Sequence, residues 1–187
     1  MTALRNLVLG TLALILVLIG IGVALPDQAR IERSVLIQAP AAEVFTVLNS
    51  FERVEAWSPW TALDPKMQFT PEGPSKGLGA RLRWFSEHPS VGSGQQEIVE
   101  SEPDRRLRLR IDYTGFDGDN HSTFTLTPEG EGTQVVWIYE TAFKGNLIGR
   151  YVGLMLDSRV GAFYEQGLLN LKMLVEGNRR EDVAPAP

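Results

Sequence analysis

The 187-residue sequence contains no cysteine and only two histidines. The lack of cysteine excludes a disulfide framework, a thiolate zinc site, an iron–sulfur cluster and a cysteine nucleophile. Neither His88 nor His121 has a second histidine at a metal-ligand spacing, so we expect no metal site, and nothing indicates a cofactor. Asp117, Asp119 and Asn120 resemble the start of a calcium loop, but the later ligands are missing, and a hairpin turn is the better interpretation.

Positive charge is also scarce. The chain has 18 Lys and Arg against 23 Asp and Glu, which gives a net charge of −5. A nucleic-acid partner requires a basic face, and the only basic tract is residues 105–110. Arginine and leucine alternate there, as on the solvated face of a strand. We therefore expect no nucleic-acid binding.

The N-terminal segment is different in character from the rest of the chain. Residues 1–25 contain one charge, Arg5, whereas the remaining residues contain 17 Lys and Arg and all 23 Asp and Glu. Residues 7–25 are uncharged and, as a helix at ~1.5 Å per residue, would cover ~28 Å, close to the ~30 Å hydrocarbon core of a bilayer. This composition predicts a transmembrane anchor over residues 1–26.

A cleaved signal peptide is the alternative for this segment. The apolar region of a signal peptide is usually ~7–15 residues long, and this run is longer. Gly22-Val23-Ala24 makes a poor cleavage site with Pro26 close behind it, so we favour an uncleaved anchor. The positive charges on the two sides are nearly balanced. The short stretch before the apolar run favours a single-pass membrane protein with its domain on the non-cytoplasmic side.

Residues 27–178 have the pattern of one α+β domain. Alternating and β-rich segments predict strands, and apolar spacings of three and four predict helices. The predicted strands are 31–38, 67–70, 79–86, 95–101, 106–113, 122–127 and 134–140, and short helices are predicted around Val44–Leu48 and over 51–57. From Ile148 to Val175 the apolar spacing predicts one helix of roughly 28 residues. In this interpretation Met155, Phe163 and Leu168 face the sheet.

Two features bound this long helix in the sequence. Gly177-Asn178 is suited to end it, and residues 179–187 are charged and then Ala/Pro-rich, which predicts a disordered tail. Six successive strands without an intervening helix require an antiparallel meander. A curved antiparallel sheet of about seven strands wrapping the long C-terminal helix is the simplest closure. Such a sheet leaves a concave face that one helix cannot fill, so we expect a cavity between them.

Several short motifs stand in the order and spacing of a known family. They are Glu32-Arg33-Ser34-Val35, Ala39-Pro40 with Val44-Phe45, Trp57-Ser58-Pro59-Trp60, Asp64-Pro65-x-Met67, Gly77-x-Gly79-Ala80, Trp84, Gly92-x-Gly94, Ile98-x-Glu100-Ser101-x-Pro103, Thr125-Leu126, Gly132-Thr133-x-Val135-x-Trp137 and Phe163-x-x-x-Gly167-Leu168-x-x-Leu171. Over residues 30–177 the chain resembles the polyketide cyclase/dehydrase-like branch of the START-like (SRPBCC, helix-grip) superfamily. The resemblance implies a helix-grip fold with a deep apolar cavity for a hydrophobic small molecule.

The candidate site residues follow from this cavity. We expect six aromatic side chains to contact the ligand: Trp57, Trp60, Trp84, Tyr113, Tyr139 and Phe163. A catalytic constellation is not evident, because there is no G-x-S-x-G motif and neither histidine accompanies a candidate nucleophile. Glu97 is the one weak candidate for an acid or base, on the assumption that it shares an inward strand face with Gln95 and Val99.

The leading hypothesis is a membrane-anchored domain that binds a hydrophobic small molecule or lipid and uses no cofactor. A tethered cavity of this kind would be able to exchange its ligand with the bilayer. The sequence leaves open whether the protein is an enzyme, and the lack of an evident catalytic constellation favours a protein that is not one. The first alternative is a cyclase, dehydratase or hydrolase that uses Glu97 and a tyrosine hydroxyl. The second is a non-catalytic envelope interaction module whose cavity is collapsed.

Overall fold

The structure is a computed structural model that describes the backbone of residues 1–183 and the side chains of residues 1–178. Within these residues the helices and strands form an α+β arrangement. The elements in chain order are α1 (Thr2–Ala24), β1 (Gln28–Ile37), α2 (Ala41–Leu48), α3 (Val54–Trp57), α4 (Pro59–Leu63), β2 (Gln68–Glu72), β3 (Arg81–Phe85), β4 (Gly94–Glu102), β5 (Arg106–Tyr113), β6 (Asp119–Glu129), β7 (Gly132–Ala142), α5 (Leu147–Gly153) and α6 (Leu156–Val183).

The seven strands form one curved antiparallel sheet in the order β1-β7-β6-β5-β4-β3-β2. Strands β2 to β7 form the predicted meander, and β1 pairs with β7 over its whole length, from Gln28 opposite Ala142 to Ile37 opposite Thr133. Strand β2 is the far edge, where one side has no partner strand among the described residues and Pro71 is therefore tolerated. The predicted helix-grip fold, with the sheet wrapping a long C-terminal helix, is confirmed.

Strand β5 shows how the sequence selects the two faces of the sheet. Leu107, Leu109 and Ile111 are buried on the concave face. On the outer face, the Arg106 and Arg110 side chains form ion pairs with carboxylates of β4. The alternation that excluded a nucleic-acid surface thus places apolar side chains toward the helices and arginines toward solvent.

Helices α2 and α6 cover part of the concave face. Helix α2 contributes Val44, Phe45 and Leu48 to the core, and α6 contributes Leu168 and Leu171, all of them buried. The short helix predicted over 51–57 ends at Trp57, as expected, and Pro59 begins a further short helix, α4, because proline is well placed in a first helical turn. The short helices α3 and α4 lie beside α6 and close one side of the sheet.

The long C-terminal helix differs from its prediction in two ways. It is broken at Leu154 and Met155, so that α5 and α6 are separate helices. Gly149 and Gly153 bring α5 so close to the Phe143 ring that a Cβ on either glycine would lie 2.7–2.8 Å from it. Helix α5 is therefore held at the end of β7, whereas α6 packs against the sheet. The prediction that Met155 faces the sheet is wrong, because this side chain is 46% exposed.

The end of α6 also differs from the expectation. The helix continues through Gly177 and Asn178 to Val183, so the predicted cap at this pair is wrong. A glycine inside a helix is only about 1 kcal/mol less favourable than alanine, and the neighbouring turns can offset this cost. Residues 179–183 of the predicted disordered tail are helical, and residues 184–187 lie outside the described residues.

Helix α1 is the only helix in the described residues that is long and apolar enough to cross a membrane. Its residues are almost all exposed, and Gly22 is the one buried position. A signal sequence near the N-terminus can meet the same criteria of length and apolar composition. Helix α1 makes its main contacts with α5. Only three residues separate the end of α1 from β1.

Candidate functional site

A cavity of about 280 Å³ lies between the concave face of the sheet and helices α3, α4 and α6. This volume is at the lower end of the ~300–1,000 Å³ that is usual for small-molecule sites. The lining consists mainly of aromatic and aliphatic side chains with a few hydroxyls and one amide. The residues are Val54, Trp57, Ser58, Trp60, Met67, Phe69, Trp84, Ser90, Val91, Gln96, Leu109, Ile111, Tyr113, Ser122, Phe124, Trp137, Tyr139, Leu156, Val160 and Tyr164.

A cluster of aromatic rings forms the inner end of the cavity. Trp57 contacts Phe124 and Trp137 edge-on, with ring centroids 6.0 and 5.7 Å apart. Phe124 and Trp137 stack at 4.8 Å, and Tyr164 of α6 lies 4.2 Å from Trp137. Edge-on and offset contacts of this kind add to the energy of burial and hold the rings in fixed positions. The wall that faces a ligand is thus rigid and apolar.

Two further aromatic pairs line the cavity away from this cluster. Trp84 of β3 contacts Tyr113 of β5 edge-on at 5.7 Å. The Trp84 ring lies over Gly94, where an added Cβ would approach the ring to 2.6 Å, so the glycine makes room for the indole. On the helical side, Trp60 packs on Phe163 at 5.2 Å.

The structure places most of the predicted aromatic residues around the cavity. Trp57, Trp60, Trp84, Tyr113 and Tyr139 all line it, whereas Phe163 does not and instead supports Trp60 from behind. The sequence interpretation missed Trp137, Phe124 and Tyr164 as lining residues. Their inward strand positions or α6 spacing could have indicated them, but such positions are equally typical of a filled core.

Behind the cavity wall lies a buried polar network centred on Asn120. Its side-chain nitrogen donates to the Ile111 carbonyl at 3.1 Å. Its side-chain oxygen accepts from the Tyr139 hydroxyl at 3.1 Å and from the Thr141 hydroxyl at 2.7 Å. The sequence interpretation treated Asn120 as a turn residue, because the Asp/Gly/Asn composition hid the first residues of β6. The network fixes the Tyr139 hydroxyl at the cavity.

The cavity tyrosines are neutral hydroxyl groups at physiological pH. Burial raises the pKa of Tyr113 and Tyr164 well above the ordinary value and raises the pKa of Tyr139 as well. A phenolate is therefore disfavoured, and these side chains can donate or accept hydrogen bonds but do not act as bases near neutral pH.

Trp57 carries the most unusual polar atom of the site. Its Nε1–H is buried and has no hydrogen-bond acceptor among the described residues. By contrast, Nε1 of Trp137 donates to the Ser122 hydroxyl. A buried donor without a partner costs about 1–3 kcal/mol, so an acceptor supplied from within the cavity would be stabilising.

The interpretation of Glu97 as a polar group inside the cavity is wrong. Glu97 lies on the outer face of β4, where its carboxylate accepts from Arg110 of β5 at 2.7 Å. Gln96 is the residue that lines the cavity, and Ile98 is buried on the same face. The period of two along a strand means that choosing Gln95 and Glu97 as the inward pair reversed the faces.

The two histidines also lie outside the cavity lining. The Nδ1 atom of His88 accepts the Ser90 N–H at 3.2 Å in the β3–β4 loop. His121 is on β6 near Asp119, and burial, with a contribution from Arg108, lowers its pKa. No group of histidines and carboxylates suited to a metal ion occurs in the part of the chain that the structure describes.

Asp64 gives the Asp64-Pro65-x-Met67 motif ahead of β2 a structural role. Its carboxylate accepts hydrogen bonds from the Ser86 hydroxyl and from the Lys66 N–H, at 2.5 and 2.9 Å. The Ser86 bond is the main reason why the pKa of Asp64 is lowered. The Ser86 bond ties the α4–β2 loop, which includes the cavity residue Met67, to the end of β3, and the Lys66 bond fixes the loop itself.

A curved antiparallel sheet closed by a long helix around an apolar cavity defines a helix-grip, START-like protein. The chain belongs to the family described as "Polyketide cyclase / dehydrase and lipid transport", whose model matches residues 28–176. The family and the fold together indicate binding of a hydrophobic ligand. No curated protein matches the sequence.

Solved structures with the same fold include proteins of very different sequence. A norcoclaurine synthase point mutant from Thalictrum flavum, in complex with a transition state analogue, is 14% identical with a TM-score of 0.60, covering 81% of this chain and 96% of that chain. A protein from Thermobifida fusca is 21% identical with a TM-score of 0.59, covering 78% and 92%. One from Chromobacterium violaceum is 20% identical with a TM-score of 0.53, covering 81% and 98%. At these identities the likeness shows the fold alone.

Proposed function

We propose that this protein is a membrane-anchored binding protein for a small apolar molecule, such as a lipid-derived or isoprenoid-like compound. The observation that carries the proposal is the cavity of about 280 Å³ with its aromatic and aliphatic lining. Apolar surface that remains unfilled in a folded domain forgoes both packing and burial energy, which a ligand would restore. The volume suits a compact ligand better than a complete two-chain lipid.

The polar atoms of the cavity specify the ligand further. The buried N–H of Trp57 is a donor without an acceptor among the described residues, and the Tyr113 and Tyr139 hydroxyls are neutral. No charged side chain is among the lining residues in the described part of the chain. We therefore expect an uncharged ligand with a carbonyl, ether or hydroxyl oxygen at one end, since a charged group would be buried without a counter-ion.

The proposed anchor is α1, retained in the mature protein. Its last turn is held by the domain, because Arg150 of α5 donates to the carbonyls of Val23 and Leu25 at 2.9 and 3.0 Å. The last carbonyls of a helix have no partner within it, so these contacts stabilise its end. Cleavage after Ala24 would remove the contact with Val23. The short linker keeps the cavity close to the bilayer, where ligand can be exchanged.

The enzyme alternative is less well supported by the geometry. A cyclase, dehydratase or hydrolase of the kind considered needs a group that transfers protons at the substrate. Glu97 lies on the outer face, and burial keeps the cavity tyrosines protonated. The alternative of an interaction module with a collapsed cavity is not favoured either, because the cavity is open.

The proposal is tested by native mass spectrometry of detergent-purified full-length protein, combined with solvent extraction. We expect one small apolar molecule per chain, and less of it in the variant Val160→Phe, in which a larger side chain on α6 occupies cavity space. Leu169→Phe is the matched control, because Leu169 lies on the same helix, is 48% exposed and is not among the lining residues. No bound molecule in the wild type, and no binding of added apolar compounds, would contradict the proposal.

The orientation of the anchor needs a separate experiment. We propose that the domain lies on the non-cytoplasmic side, and alkaline phosphatase or a fluorescent protein fused after Pro187 distinguishes the two sides. Active phosphatase with a dark fluorescent fusion supports this orientation. A fluorescent fusion with inactive phosphatase reverses it and leaves the ligand-binding proposal unaffected.

A further inference from the structure

Helix α5 and the turn that follows it leave a continuous set of apolar side chains in solvent. We call the exposed residues Ile148, Val152, Leu154 and Met155 the α5 patch, and their exposed fractions are 76%, 49%, 62% and 46%. The apolar spacing of this segment predicted burial against the sheet, yet the sheet does not cover it. An exposed apolar surface of this kind on a monomer indicates an interaction site.

The position of the α5 patch relative to α1 indicates what covers it. The Tyr151 hydroxyl donates to the Leu18 carbonyl at 2.5 Å, and the Tyr151 ring lies against Gly22. These contacts reach from Leu25 back to Leu18, so α5 lies beside the last two turns of α1, about 10 Å of helix at ~1.5 Å per residue. The α5 patch is therefore level with the end of the apolar span and not above it.

The charges of α5 agree with this position. Arg150 is the only charged residue between Leu147 and Leu156, and its guanidinium is directed to the carbonyls at the end of α1. The remaining side chains of the segment present no charge to the surroundings. Tyrosine beside a span end is typical of the membrane interface, where the ring is apolar and the hydroxyl is bonded.

We propose that the α5 patch is a membrane-docking surface, whose occupant is the bilayer that α1 crosses. Helix α5 then lies in the plane of the interface, at the ~5–10 Å depth to which interfacial helices insert their apolar side chains. Leu156 and Val160, which follow the patch in the chain, line the cavity, so docking holds this wall of the cavity at the membrane surface. The inference rests on the proposed membrane anchoring by α1.

Because the chain has no cysteine, single cysteines can be introduced and labelled without background. Full-length protein with Ile148→Cys or Leu154→Cys, labelled with an environment-sensitive fluorophore, is reconstituted into phosphatidylcholine–phosphatidylglycerol vesicles with or without brominated acyl chains. Leu14→Cys reports the middle of α1. Met173→Cys is the matched control. Met173 is 63% exposed on α6 and lies roughly 27 Å beyond the end of the α5 patch, at ~1.5 Å per residue. All four positions are exposed, so the substitutions leave the core unchanged.

The expected result is a blue shift and loss of emission to brominated lipid at residues 14, 148 and 154, and neither effect at Met173. Quenching at residue 14 without quenching at 148 and 154 would overturn the docking inference and leave the anchor intact. Equal quenching at Met173 would also overturn it, because the domain would then lie on the membrane by another face. A shift at 148 and 154 that depends on protein density and not on brominated lipid would assign the α5 patch to a second copy of the chain. Absence of quenching at residue 14 would overturn the anchor itself.

Discussion

At the scale of single residues, the most informative atom in the cavity is Nε1 of Trp57. Four tryptophans line the cavity, but only this one has a buried N–H without an acceptor among the described residues. The sequence interpretation selected Trp57 because of its place in the Trp-Ser-Pro-Trp motif. The state of its N–H was not predictable, because it depends on three-dimensional contacts with α6 and the sheet.

The variant Trp57→Phe keeps an aromatic ring and removes the donor. We expect it to weaken binding of a methyl ketone by about 2- to 10-fold, the equivalent of one neutral hydrogen bond of ~0.5–1.5 kcal/mol. Binding of the alkane of the same chain length reports the loss of ring area alone. Trp60→Phe, which removes the same area at the cavity without removing a buried unpaired donor, is the control. Equal weakening of ketone and alkane by Trp57→Phe would show that the N–H has no role in binding.

His121 links stability to pH. Because burial lowers its pKa in the folded protein, the unfolded chain takes up a proton at this residue more readily than the folded one. Above pH ~7 both states are neutral and the residue has no effect, and stability decreases as the pH falls through ~6.5, the ordinary pKa of histidine. When the pH is lowered from above ~7 to below ~6.5, we expect the free energy of unfolding in urea to decrease more for the wild type than for His121→Gln. Parallel loss in both proteins would contradict this assignment.

At the scale of elements, α6 depends on close approach to the sheet. Gly167 lies where an added Cβ would come within 2.8 Å of the Trp137 ring and 3.0 Å of Pro59. The absence of a side chain therefore lets the helix, the start of α4 and the cavity wall meet. The amphipathic spacing that predicted α6 could not reveal this contact, because the spacing describes one helix and not its neighbours.

The variants Gly167→Ala and Gly177→Ala separate crowding from helix propensity. Gly167→Ala is expected to lower the free energy of unfolding by about 1–3 kcal/mol through overpacking. Gly177 lies in the same helix, and among the described residues no atom outside its own stretch of helix lies within 4 Å of an added Cβ, so Gly177→Ala is expected to raise the free energy of unfolding by about 0.5–1 kcal/mol. Thermal and urea unfolding measure both changes. Stabilisation by both substitutions would mean that α6 lies further from Trp137 than the structure shows.

The sequence predicted the elements unequally, for physical reasons. Strand β5 was predicted residue for residue, because one face meets the core and the other meets water. In β4 the faces were exchanged, since Gln95, Gln96 and Glu97 are consecutive polar residues that mark neither face, and the strand has a bulge between Ile98 and Glu100. The break between α5 and α6 was missed because apolar residues continue across it. Those before α6 form the exposed α5 patch, whereas those within α6 pack into the core.

At the scale of the whole molecule, the apolar helix α1, helix α5 and the cavity lie in succession. Motif order predicted the helix-grip fold and the presence of a cavity, because both follow from a sheet that curves around one helix. The contacts by which α5 holds the end of α1 were not predictable, since Arg150 and Tyr151 are distant from α1 in sequence. What most needs testing is whether the cavity takes up a small apolar molecule, as we propose.

Intrinsic fluorescence tests this claim directly, because all four tryptophans of the chain line the cavity. A bromoalkane is titrated into detergent-purified full-length protein, and quenching of tryptophan emission by the bromine is recorded. We expect saturable quenching at one site per chain, reversed by the unbrominated alkane and weakened in Val160→Phe. Quenching that rises linearly, and equally in wild type and Val160→Phe, would reflect bromoalkane in the micelle alone and would contradict a ligand-binding cavity.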